Sequence, residues 1–205
     1  MGARFLLIVV FLSAGFSAVQ AKRLSSLEGI VYLSDGTQVE YRGDDRILIP
    51  KKRGAITAYR DIYRRSAKKE TFDFDRVDSL VCWHARSPEH RRKFLPVPSI
   101  GWSWVYFETP YIRSIIYQKK GYGLGSNGGI HLALGHYYLQ KTAPGVPLCS
   151  LGRVEYYHRG LKFRQRIARY IQDDPATARS VEQSVGFRDN TLFLIQQYVP
   201  DGKHD

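Results

Sequence analysis

The 205-residue sequence predicts an α+β fold, a mainly antiparallel sheet followed by two or three C-terminal helices, and three observations carry that prediction. Short runs of β-branched and aromatic residues, broken by turn residues, occupy the chain from about Leu27 to Tyr157. After about Gly160 the apolar spacing becomes helical. No internal repeat or low-complexity linker separates the two parts, so residues 22–205 are expected to form one domain with its helices packed on the sheet.

The first strands are the clearest. EGIVYLSDGTQVEYRGD, from Glu28, places apolar and β-branched residues on both sides of Ser34-Asp35-Gly36, a hairpin signal. RILIP (46–50) and AITAYR (55–60) read as further short strands, and the basic stretch Asp61–Lys69 as a helical turn or a loop. Val77–His84 reads as a buried strand. Pro88, Pro96, Pro98 and Pro110 are expected between strands, because proline cannot donate to a central ladder. SIGWSWVYFE (99–108) and YIRSIIYQ (111–118) fit a half-buried pleated surface, and GIHLALGHYYLQK (129–141) is read as strand on its aromatic end and Gly135.

In the tail, Phe163, Ile167, Tyr170 and Ile171 share one helical face, with Lys162, Arg166 and Arg169 elsewhere. Asp174-Pro175 supplies an N-cap followed by proline at the first helical position, and Gly186 a stop. A last helix is expected from about Asn190 to Tyr198, before Pro200.

The N-terminus has Arg4, an apolar run from Phe5 to about Phe16 and small residues up to Ala21, the pattern of a secretory signal peptide over residues 1–21. The run is shorter than the roughly 20 apolar residues of a spanning helix. Cleavage near Ala21 would leave a chain without a transmembrane segment, periplasmic or secreted, starting at Lys22. The formal net charge of +12 falls by one with the loss of Arg4. Such a surface attracts anionic partners. In an exported protein these are anionic glycans, lipid head groups or acidic envelope proteins rather than nucleic acid. An oxidising compartment would let Cys82 and Cys149 pair if the fold brought them together; otherwise they are two small buried side chains.

GLGSNG (123–128) has the glycine spacing of a dinucleotide loop, but that fingerprint needs a strand before it, a helix after it and an acidic residue about 20 positions on. No acidic residue occurs from Gly129 to Arg153, and Asn127-Gly128 is itself a turn signal. The loop is therefore read as chain reversal between strands 112–118 and 130–139. Its backbone N–H groups, with Lys119 and Lys120, would still form a small anion site.

Trp102, Trp104 and Tyr106 alternate and so share one strand face: core if it points inward, a platform for sugar rings if outward, with the balance on core. Positive charge is clustered, notably at Arg91-Arg92-Lys93. Catalytic chemistry finds little footing. No serine has the glycine pattern of a nucleophile elbow, and Cys82 with His84 lies in apolar surroundings that favour an inert thiol. His131 with His136 and His84 with His90 lack ligand spacing, so no metal and no cofactor are expected. The favoured reading is a non-enzymatic binding protein. The alternative is a small hydrolase or carbohydrate-active protein whose site assembles only in the fold.

The segments HYYLQK, LGRVEYYHRGLKFRQRIARYIQDDPATARSVEQSV and NTLFLIQQYVP, between about Gly135 and Pro200, resemble a pattern of exported, uncharacterised proteins of Gram-negative bacteria. In that pattern a β-rich front ends in a strand bearing tyrosine and lysine, followed by an amphipathic segment, an acidic-proline helix start and a terminal helix. The resemblance implies export and architecture and transfers no catalytic residue.

Overall fold

The computed structural model describes residues 27–64, 67–125, 127, 129–131, 135–153, 161–185 and 188–202; the expected signal segment and the expected stop at Gly186 lie outside them. The fold is α+β and mainly antiparallel sheet. Its strands are β1 (Leu27–Leu33), β2 (Gln38–Tyr41), β3 (Arg46–Leu48), β4 (Ile56–Arg60), β5 (Lys68–Phe72), β6 (Val77–His84), β7 (Ser87–Val97), β8 (Gly101–Glu108), β9 (Ile112–Gln118), β10 (Gly123–Leu124), β11 (Ile130–His131), β12 (Gly135–Lys141) and β13 (Cys149–Arg153). Three helices follow: α1 (Leu161–Tyr170), α2 (Pro175–Gln183) and α3 (Arg188–Ile195).

Eight strands form one sheet in the order β13-β12-β9-β8-β7-β6-β1-β2. A single row of directly opposed residues crosses all eight: Gly152, Tyr137, Ile116, Trp104, Phe94, Leu80, Val31 and Val39. Opposed residues lie on one face, and this face carries the core. Over β1, β6 and β7 it is covered by the small sheet β3-β4-β5, which contributes Ile47, Ile56 and Ala58. Over β9, β12 and β13 it is covered by the helices, through Phe163, Ile167, Ile171, Val181, Leu192 and Ile195. Trp104 packs against both halves.

The hairpin signal at Ser34-Asp35-Gly36 yields the β1–β2 turn, closed by Gly36 N–H to Leu33 carbonyl (3.0 Å) and steadied by Thr37 N–H to Asp35 Oδ1 (2.9 Å). The stretch Asp61–Lys69, expected as a helical turn or loop, begins as a turn closed by Arg64 N–H to Asp61 carbonyl (2.8 Å), but its end, Lys68-Lys69, belongs to β5, whose Lys68 opposes Arg60. Two prolines depart from expectation: Pro88 and Pro96 lie inside β7, between β6 and β8. The ladder with β6 ends at Leu80–Phe94 and the ladder with β8 begins at that same Phe94. Each proline therefore has a partner strand on one side only, the edge setting in which a strand tolerates proline.

The β3–β4 loop reaches the main sheet through Trp102, whose backbone N–H donates to Lys52 carbonyl and whose Nε1–H donates to Gly54 carbonyl (both 2.8 Å). The close approach requires glycine at position 101, where φ is +110° and an added Cβ would stand 2.4 Å from Lys52 carbonyl oxygen. A second polar joint holds the two sheets together. Tyr41 hydroxyl donates to Glu70, Arg60 Nε donates to the other Glu70 oxygen (2.9 Å), and the Arg60 guanidinium lies 4.5 Å from the Tyr41 ring centre while reaching Asp45 (2.9 Å).

The helices dock through the predicted Asp174-Pro175 helix start and the residue before it, Asp173. Asp174 is fully buried, and it caps α2 by accepting Thr177 N–H (3.1 Å) and ties the tail by accepting Val199 N–H (3.1 Å). Asp173 accepts from Lys141 Nζ and Tyr198 hydroxyl, both at 2.7 Å, and Lys141 sits between the rings of Tyr170 and Tyr198. Burial raises the Asp173 carboxyl, but the bonds from Lys141 and Tyr198 outweigh it and hold it below its ordinary value.

Gly101→Ala is expected to lower unfolding stability in urea by more than the roughly 1–2 kcal/mol of a left-handed backbone alone, because Lys52 must also move. Gly145→Ala, at φ +77° with nothing within 4 Å, should cost only that backbone amount. Asp173→Asn should cost roughly 1–3 kcal/mol at neutral pH. Because the folded-state value is lowered, the carboxylate's contribution is present above its ordinary value of 3.8 and is lost as pH falls through the folded value. The gap between wild type and Asp173→Asn should therefore close on acidification below about pH 3.8 in urea titrations.

Candidate functional site

The glycine-rich stretch lies on a chain reversal, as expected: Gly123-Leu124 pairs with Ile130-His131, and Gly125 N–H donates to Gly129 carbonyl (2.8 Å). Just before it, β9 ends in a turn closed by Gly121 N–H to Gln118 carbonyl (3.0 Å), with the buried Gln118 amide donating to Gly121 carbonyl (2.6 Å). Lys119 and Lys120 occupy the two exposed corner positions of that turn.

Beside this turn the sheet supplies the rest of a pocket. Tyr117 on β9 opposes His136 on β12, which opposes Arg153 on β13, so three neighbouring strands each place one residue in a row. Strand spacing of about 4.8 Å puts the outer two roughly 10 Å apart. Tyr138 is two residues along β12 from His136 and shares its face. This is the face opposite the Tyr137–Ile116–Trp104 core row. Tyr117, Lys119, Lys120, His136, Tyr138 and Arg153 line a pocket of about 290 Å³. No carboxylate is among them, and no ion pair among the described residues engages Lys119, Lys120 or Arg153. Burial, reinforced by the neighbouring Tyr117, raises the Tyr138 hydroxyl above its ordinary value, so it stays a hydrogen-bond donor at neutral pH.

A larger groove, about 480 Å³, lies between α1 and α2. It is lined by mixed charges, Arg169 and Arg179 with Glu182, and has no convergence of like groups. The smaller pocket is the better candidate because its polar groups share one sign.

The other predicted site residues do not assemble with it. Trp102 is wholly buried, edge-on to Phe74 at 5.6 Å, so it belongs to the core. Trp104 is half-buried between the two halves of the core, and Tyr106, at a bulge in β8, packs against Trp104, Phe107 and Tyr137. A sugar platform across the three is thereby corrected: its first ring has no free face. Arg91-Arg92-Lys93 is corrected as a single basic patch as well, because strand alternation splits it. Arg91 stacks 4.8 Å from the Trp83 ring centre, Arg92 lies 5.9 Å from that of Trp104, and Lys93 pairs with Glu108 at 2.6 Å.

Cys82 and Cys149 are free thiols. They stand on β6 and β13, five strand spacings or roughly 24 Å apart across the sheet, whereas a disulfide holds its Cα atoms within about 7 Å. Burial drives the Cys82 thiol far up, and His84 Nδ1 is occupied in accepting Arg86 N–H (3.1 Å), so no thiolate–imidazole pair exists. Among the described residues no group of three or more His, Cys, Asp or Glu is placed to hold a metal ion. No helix among them is long and apolar enough to cross a membrane.

Sequence reasoning found Lys119 and Lys120 but missed Tyr117, His136, Tyr138 and Arg153. The signal available was the i, i+2 spacing of Tyr117 with Lys119 and of His136 with Tyr138 in two predicted strands. That β9 and β12 are neighbours in this register was not legible. Comparison with protein-family models, with curated proteins and with solved structures finds no match to this chain.

Titration with a thiol reagent at mildly alkaline pH should modify Cys149 slowly in the folded protein and Cys82 only after denaturation, with both thiols titrating once unfolded. A denatured, unreduced protein without free thiol would contradict the separation of the two strands.

Proposed function

We propose that this chain is an exported, non-enzymatic binding protein whose ligand is anionic, and that the ligand enters the pocket between Tyr117 and Arg153. One observation carries the reading. Lys119, Lys120 and Arg153 converge, and no carboxylate is among the described residues of the pocket lining. Cations held together with no internal counter-charge repel one another, and an incoming anion removes that repulsion. The high net charge favours the encounter from a distance, and the N-terminal pattern from Arg4 to Ala21 supports export. Anionic glycans, lipid head groups and acidic envelope proteins are the partners such a pocket suits. The hydrolase reading gains no support from this site, since general acid–base hydrolysis of glycosides calls for a pair of carboxylates and the described residues of the lining include none.

The chain from Lys22 onward should bind anionic glycans or anionic lipid vesicles at low ionic strength and release them as salt approaches the physiological range. Arg153→Gln or Lys120→Gln should weaken binding about tenfold to a hundredfold, the range for losing a charged hydrogen bond. Both side chains are exposed, so the fold should not change. Binding that is insensitive to both substitutions, or no binding to any anion, would overturn the assignment.

A further inference from the structure

We infer that the pocket selects a phosphate monoester carried on a small polar body, a deepening that rests on the anion-binding reading above. The charge count points there first. Two lysines and an arginine surround one small space, with His136 beside them. A carboxylate brings one charge and two acceptor oxygens. A phosphate monoester brings a charge of about −1.5 to −2 at neutral pH and three strong acceptors.

The donor geometry agrees. Arg153 offers a planar fork that meets phosphate oxygens in pairs, while Lys119 and Lys120 act as point charges from the turn at the pocket's edge. The Tyr138 hydroxyl and, beside it, Tyr117 supply neutral donors and two aromatic rings on the sheet floor. Such rings suit the carbon skeleton that carries the phosphate rather than a second charge. Size gives the third constraint: about 290 Å³ lies at the low end of small-ligand pockets. It accommodates a single ring or headgroup with its phosphate. A long polyanion or a protein surface would touch the exposed Lys119, Lys120 and Arg153 without filling the space between them.

The shared chemistry, a terminal phosphate, occurs on soluble sugars and on lipids, and the test separates them. Binding to the chain from Lys22 would be measured for glucose 6-phosphate against glucose 6-sulfate and glucose, and for vesicles with phosphatidic acid against vesicles with phosphatidylglycerol at equal charge density. The expected result is at least tenfold tighter binding of the monoester in one or both pairs, with the preference lost in Arg153→Gln and reduced in Tyr138→Phe. The winning pair identifies the soluble or the lipid source. Monoester binding no tighter than that of sulfate ester or phosphodiester would overturn the inference while leaving a general anion site standing. A preference that survives Arg153→Gln would overturn it too, by placing the phosphate elsewhere. If no anion binds in any arm, the broader anion-binding reading falls with it.

Discussion

One sheet face, crossed by an uninterrupted row from Val39 to Gly152, has to be kept from water, and no single layer in this chain is wide enough to do so. Eight strands at about 4.8 Å span nearly 35 Å. The small sheet β3-β4-β5 covers one half and three short helices cover the other. Trp104 stands where they meet and packs against both. Its bulk lets two separate layers share one core, since a large aromatic buries much apolar area at a single backbone position.

Each covering layer is fixed by a polar joint as well as by packing. The small sheet is tied down by Tyr41, Glu70, Arg60 and Asp45, and the helices by Lys141, Asp173 and Tyr198. The joints have the same design: a half-buried carboxylate accepts from both a tyrosine hydroxyl and a cation that also lies over an aromatic ring. Pairing every charge with directional partners makes such burial tolerable, and it orients layers that apolar contact alone would leave free to slide.

The core face being spoken for, the pocket lined by Lys119, Lys120 and Arg153 lies on the opposite face at the end of the sheet, where β9 turns, β12 begins and β13 ends. Lys141, Arg60 and Lys93 are engaged by internal carboxylates, whereas no ion pair among the described residues engages Lys119, Lys120 or Arg153. That division separates, among the described residues, the cations that hold the fold together from those that line the pocket.

The sequence by itself determined what depends on near neighbours in the chain. Period-two runs produced the strands, Ser34-Asp35-Gly36 the first hairpin, and Asp174-Pro175 the start of a helix whose predecessor buries Phe163, Ile167 and Ile171. Asn127-Gly128 and the missing acidic residue were enough to read GLGSNG as a reversal of the chain. Only the tertiary structure decided which strands are neighbours and in what register. That choice split Arg91-Arg92-Lys93 across two faces, kept Cys82 far from Cys149, allowed Pro88 and Pro96 inside β7, and set Arg153 in a row with His136 and Tyr117. The reason is physical: strand formation is a local preference, but pairing is settled by the burial of one whole sheet face, and a one-residue slip would turn every side chain of a strand to the other side.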